Sequence, residues 1–178
     1  MNADVPAFVQ AINDSAVGEW MRHSLKAMPI IEAAHVLAIA TVFGTILIVD
    51  LRLLGFAGMQ RNYRLLSREM LPKTWMAFVA AVITGVLMFA PNAITYYGNT
   101  AFRLKMLGLV LAGLNMAAFH LLTERTSRWD GDAKAPTAGR VAAVLSILLW
   151  LTIIFLGRWI GFTKGYDFSV PENVEFEF

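Results

Sequence analysis

Four long apolar runs, separated by short polar connectors, dominate the pattern of this chain. The first, at about 28–51, is interrupted only by Glu32 and His35 until Asp50 and Arg52 appear at its far end. Further runs at about 73–94, 101–122 and 140–162 each reach the roughly 20 residues that a helix needs to cross a hydrocarbon core. Residues 5–26 have a different rhythm: Val5, Phe8, Ala11 and Ile12, then Val17, Met21 and Leu25, recur at helical spacing with charges between them. That spacing predicts one or two short amphipathic helices lying on the membrane surface, with Trp20 at headgroup depth. The pattern as a whole predicts an all-α integral membrane four-helix bundle with an N-terminal amphipathic segment, forming one domain over residues 1–178. The segment between the first two runs is basic and reads as a connector, partly helical before Pro72. The residues after the fourth run are acidic and read as an extended surface tail.

Composition agrees with the pattern. Hydrophobic residues make up 57% of the chain and charged residues 16%, against about a quarter charged in soluble domains. The net charge is only +2, and the basic residues are scattered beside apolar runs, which suits membrane orientation and not nucleic acid. Arg52, Arg61, Arg64, Arg68 and Lys73 flank the first connector, and Arg125, Arg128, Lys134 and Arg140 the third. The positive-inside rule therefore puts both connectors in the cytoplasm and both termini outside it. The charges before residue 28 argue against a cleavable signal peptide, so the first crossing itself is expected to carry the targeting information. The absence of cysteine excludes disulfides, thiolate metal sites, iron–sulfur clusters and thioether-linked haem, and leaves non-covalent cofactors open.

Ionisable groups within membrane helices are costly and tend to face the bundle interior or serve function. At about 1.5 Å of rise per residue they fall into two layers. Glu32, His35, Arg103, Lys105 and Arg158 form an outer layer, and Asp50, Arg52, His120 and Arg140 an inner one. Glu32 and His35 share a helix face, so the carboxylate could orient the imidazole, and an inward imidazole suits non-covalent haem. Lys105 and Arg158 lie at a depth where they could neutralise propionates, an anionic substrate or lipid headgroups. His35 and His120 are separated by about 15 Å along the axis, too far to clamp one haem. Either His120 serves a second, inner haem beside Arg52, or His23, carried back by the N-terminal segment, is the second ligand at His35. A purely structural reading fits the same residues: Glu32 pairs with Lys105, His35 satisfies a neighbouring helix, Asp50 faces Arg140 or His120, and Arg52 snorkels to headgroups.

The stretches EAAHVLAIATVFGTILIVDLRLLG (Glu32 to Gly55) and RLKMLGLVLAGLNMAAFH (Arg103 to His120) resemble a family of small uncharacterised bacterial four-helix membrane proteins. More distantly they resemble the copper-resistance D group and the HemJ type of protoporphyrinogen oxidase, through His35, Gly44, Arg52, Leu104 and Lys105. The resemblance implies a bacterial inner-membrane protein, whose termini the charge pattern then makes periplasmic, and His35 as an axial ligand of haem b. Asp50 stands where the oxidase group often has proline. The expected function is a b-type haem protein in electron transfer, with a quinone or a periplasmic redox protein as partner besides the lipid bilayer. As an enzyme it would be a haem-dependent oxidoreductase acting on quinone or porphyrinogen. The alternatives are a non-catalytic membrane adaptor or subunit, and a small-anion or proton-coupled transport or binding protein; homo-oligomerisation stays open.

Overall fold

The structure, a computed structural model, describes residues 5–56, 61–124 and 135–163. The acidic tail and the loop residues Arg125, Arg128 and Lys134 lie outside these residues. Two short helices, α1 (Ala7–Asn13) and α2 (Ala16–His23), precede α3 (Ala27–Leu54) and α4 (Tyr63–Phe89). A single 3-10 turn, Ala90–Asn92, leads into α5 (Ala93–Gly98), followed by α6 (Thr100–Ala118) and α7 (Thr137–Thr163). The last turn of α6 loosens into a π-helical segment, Phe119–Glu124. Four spans are long and apolar enough to cross a membrane: Ala27–Leu54, Tyr63–Gly98, Thr100–Leu121 and Thr137–Thr163. The chain is thus an all-α bundle of four apolar helices running alternately up and down.

Local chemistry sets the ends of the helices. Asn62 accepts from the Arg64 amide (2.8 Å) at the start of α4, and Asn99 accepts from the Phe102 amide (3.1 Å) at the start of α6. Each side chain satisfies one of the donors that a first helical turn leaves without a partner. At the end of α3, Gly55 takes φ 84°, a left-handed conformation open to glycine, while the Phe56 amide bonds back to the Leu51 carbonyl at 3.0 Å. Pro72 does not end a helix as the sequence suggests, because α4 begins at Tyr63 and continues through it. Thr74 adds a hydroxyl donor to the Met70 carbonyl (2.9 Å) in the turn that proline loosens.

The amphipathic N-terminal segment forms α1 and α2, which pack over α5 and the turn at Ala90–Asn92 at the outer end of the bundle. Val9 and Met21 are buried beneath them, while Phe8, Val17 and Trp20 stay exposed. Arg22 clasps the assembly by donating to the carbonyls of Asn13 (2.9 Å) and Pro91 (3.0 Å). Approach is so close at Gly18 that an added Cβ would lie 2.7 Å from the Asn13 carbonyl oxygen.

In the bundle, α3 packs along α4 and α7, and α6 packs along α7, whereas α4 and α6 share no comparable packing. Small residues allow the close approaches: Ala77, Ala112 and Ala143 are buried, and Gly108 faces Ile153. One core cluster joins Val42, Ala77, Ala112, Trp150 and Ile153, and a second, nearer the inner end, joins Leu53, Tyr63, Phe119, Ala135 and Ala143. Leu37, Val79, Val110, Leu114, Leu148 and many other large apolar side chains point outward, the surface that lipid would cover.

Candidate functional site

The inner half of the bundle holds a partly open cavity of about 180 Å³, walled by residues of α3, α4, α6 with its π segment, and α7. Its walls are largely apolar, with Val42, Ile46, Phe78, Leu109, Trp75 and Trp150 among them. The polar groups of the wall are Asp50 on α3, Tyr63, Ser67 and Thr74 on α4, Asn115 and His120 on the third crossing, and Ser146 on α7. The cavity is lined from all four helices, and the packing between α4 and α6 is sparser than that of the other neighbouring pairs.

Most of these polar groups have identifiable partners. Asn115 donates to the Ala142 carbonyl of α7 at 2.9 Å. The Thr74 and Thr45 hydroxyls meet at 2.8 Å across α4 and α3. Tyr63 packs edge-on against Phe119, with ring centres 5.9 Å apart, and Phe119 in turn contacts the His120 ring at 5.7 Å. Asp50 is the exception. It is only 6% exposed, Ser146 supplies a hydrogen bond to its carboxylate, and its Oδ2 has no hydrogen-bond partner among the described residues. A buried oxygen of this kind costs about 1–3 kcal/mol, and more when charged. Asp50 therefore meets Ser146, where the sequence reading had it facing Arg140 or His120; the Arg140 guanidinium is turned to the Ala135 carbonyl instead (3.2 Å).

The outer layer assembles differently. His35 is half-buried, and its Nδ1 lies 2.8 Å from the Thr84 hydroxyl of α4. Gly85 leaves room for the imidazole, since a Cβ there would come within 3.2 Å of its Cε1. Lys105 reaches across α7, with its Nζ 3.5 Å from the Cβ position of Gly157. Both Lys105 and Glu32 are within electrostatic reach of His35. Glu32 is exposed and makes no ion pair with Lys105: among the described residues the one salt bridge within 4 Å is Arg61–Glu69 (3.4 Å). Arg158 is exposed, with its guanidinium 5.7 Å over the Phe162 ring, and His23 is exposed at the end of α2. Arg52 does not snorkel outward; it is 1% exposed and its Nε donates to the Arg61 carbonyl (2.8 Å), tying the end of α3 to the start of α4.

The structure thus brings His35, Lys105 and Glu32 together near one end, and Asp50 and His120 into one cavity wall near the other. It does not bring His35 and His120 to a common cavity, and neither His35 nor His23 lines the inner one. Among the described residues, no three histidine, aspartate or glutamate side chains converge as a metal cage. The sequence reading missed Ser146, Ser67 and Asn115. The available signal was a set of polar side chains within otherwise apolar crossings, at the same depth as Asp50.

These features define a small helical membrane bundle with an internal, mainly apolar cavity. Residues 17–163 match a family of unknown function (DUF6644), and the chain belongs to it. No curated protein and no solved structure matches the chain.

Proposed function

We propose that this protein binds a lipid-soluble molecule with a single hydroxylated ring as its head, of the quinol type, in the inner half of the bundle. The unpartnered Oδ2 of Asp50, set in the wall of an apolar cavity, carries the reading. A buried acceptor without a donor is a vacancy for an O–H group, and a carboxylate takes such a bond more strongly than a neutral oxygen does. Size narrows the class. A cavity of about 150 Å³ accommodates benzene, so about 180 Å³ suits one substituted ring and not a porphyrin. An apolar tail would leave between α4 and α6 into the lipid. Carriage of such a molecule fits a bacterial inner-membrane protein with its basic connectors in the cytoplasm and its termini in the periplasm.

The test is binding of a short-tailed benzoquinol and of its quinone in detergent micelles, read through tryptophan fluorescence, since Trp75 and Trp150 line the cavity. The quinol donates to Asp50 where the quinone presents only acceptors. The quinol is therefore expected to bind about tenfold more tightly, with the preference abolished in Asp50→Leu. Equal affinity for the two forms, or a preference that survives this substitution, refutes the assignment.

One observation favours a second reading, haem b in electron transfer: His120 shares the cavity wall with Met70 and Met116, side chains able to ligate iron, although a porphyrin would require the helices to part well beyond the space described. On that reading the ligand is His120, and His35, which carries the likeness to the copper-resistance D and HemJ-type groups, is not in the wall. A Soret band shifted by dithionite and lost in His120→Ala would favour it over the quinol reading.

A further inference from the structure

We propose that the Lys105 ammonium, seated against Gly157, holds a phosphate-type oxyanion in the outer half of the bundle. A lysine near a helix end ordinarily snorkels, lifting its charge to the interface. Lys105 does the reverse. Its ammonium rests at Gly157, six residues short of Thr163 at the outer end of α7, about 9 Å below that end. A Cβ at 157 would already touch the ammonium at 3.5 Å, so a branched side chain there would crowd its seat.

At that depth a positive charge needs a counter-group. The three arginines on this side have theirs. Arg22 is held by two carbonyls, Arg103 by the Tyr97 carbonyl (3.0 Å) and ring, and Arg158 by the Phe162 ring. Lys105 has no hydrogen bond and no ion pair among the described residues. Its charged neighbour is His35, itself fixed by Thr84; Glu32 is exposed and acts on His35 but makes no ion pair with the ammonium. The missing partner is an anion, and the anions that occur at this level of a membrane are phosphates, from a lipid headgroup or free in solution. The site is separate from the inner cavity and does not depend on what fills it.

The full chain in neutral detergent is titrated with phosphatidylglycerol and, separately, with inorganic phosphate. Binding is followed by native mass spectrometry for the lipid and by equilibrium dialysis for phosphate. Lys105→Gln is expected to weaken the bound species about tenfold or more, the scale of one charge-assisted hydrogen bond. Lys26→Gln, an exposed lysine near the same end, is expected to change nothing. Gly157→Val keeps the charge but fills the seat, and is expected to weaken binding as Lys105→Gln does. Lipid binding without phosphate binding assigns the oxyanion to a headgroup, and equal sensitivity of both assigns it to phosphate itself. Failure of both probes to bind the wild-type chain, or binding in Lys105→Gln or Gly157→Val as strong as in Lys26→Gln, overturns the proposal.

Discussion

Replacing Asp50 with asparagine changes two free energies in opposite directions. The side chain keeps its shape and its contact with Ser146, but the carboxylate charge is removed from a site that is 6% exposed. Burial of an ion costs several kcal/mol after relaxation, and here one oxygen receives no compensating bond. Against that relief stands the weaker Ser146 bond, since hydrogen bonds to charged groups contribute about 1.5–3 kcal/mol and neutral ones about 0.5–1.5. The amide also brings N–H donors to the same unpartnered place, so the balance predicts a ligand-free Asp50→Asn protein about as stable as the wild type or more so, by about 0–2 kcal/mol. Binding should move the other way, with quinol affinity falling by roughly 1 kcal/mol or more, close to tenfold. The quinone form should gain, because the amide can donate to its carbonyl. Unfolding by dodecyl sulfate in mixed micelles, followed by tryptophan fluorescence with and without ligand, measures both quantities. A ligand-free variant less stable than the wild type by more than about 1 kcal/mol would show that Asp50 holds the bundle together, and the reasoning from its lone oxygen would fail.

Two further substitutions test the packing and the topology. Gly108→Ala places a methyl 3.0 Å from Ile153 Cγ1 at the α6–α7 contact and should destabilise the bundle by about 1–3 kcal/mol. Ile153→Ala should recover part of that loss in the double variant, and strictly additive effects would refute the contact. Because the chain has no cysteine, single cysteines report sidedness directly. In intact cells an impermeant maleimide should label Thr95→Cys, in exposed α5, and should reach Arg64→Cys only after lysis; the reverse pattern inverts the proposed orientation.

The four crossings were legible because their hydrophobic runs exceed any soluble helix, and the predicted run at 140–162 differs from α7 by only a few residues at each end. The second crossing was read short. Basic residues and Pro72 looked like a connector, yet a helix leaving the hydrocarbon can carry charge in its first turns, and α4 runs back to Tyr63. At the site, the sequence indicated which ionisable groups stand among apolar residues but not which helix each would meet. His35 finds its partner in Thr84, a residue with no distinguishing signal of its own, and the room for it comes from Gly85. Asp50 was assigned to charged neighbours because charges are visible in a sequence. Its actual neighbour, Ser146, depends on how α7 is rotated against α3, which side-chain packing decides.

The placement of both candidate sites follows from one asymmetry in the bundle. Packing is extensive within the pairs α3–α4 and α6–α7, and the pairs are joined through α3 and α7, so α4 and α6 meet mainly near their ends, where Phe89 stacks on Phe102 and Tyr63 packs on Phe119. A closed bundle would fill its centre with interdigitated side chains. Here two hairpins meet chiefly along α3 and α7, and where small residues such as Ala112, Gly113 and Ala143 face the centre, space remains beside Asp50. On the proposed reading, a lipid-soluble molecule enters this space from within the bilayer, where water is scarce. Binding from that direction requires no passage through either polar end, which leaves α1 and α2 free to stay clasped over the outer end while the inner cavity is occupied. The same asymmetry sets Lys105 on α6 opposite Gly157 and away from α4, where no carboxylate comes within pairing distance among the described residues. A carboxyl oxygen lacking a donor near one end and an ammonium lacking an acceptor near the other, among the described residues, are therefore two consequences of the same sparse packing.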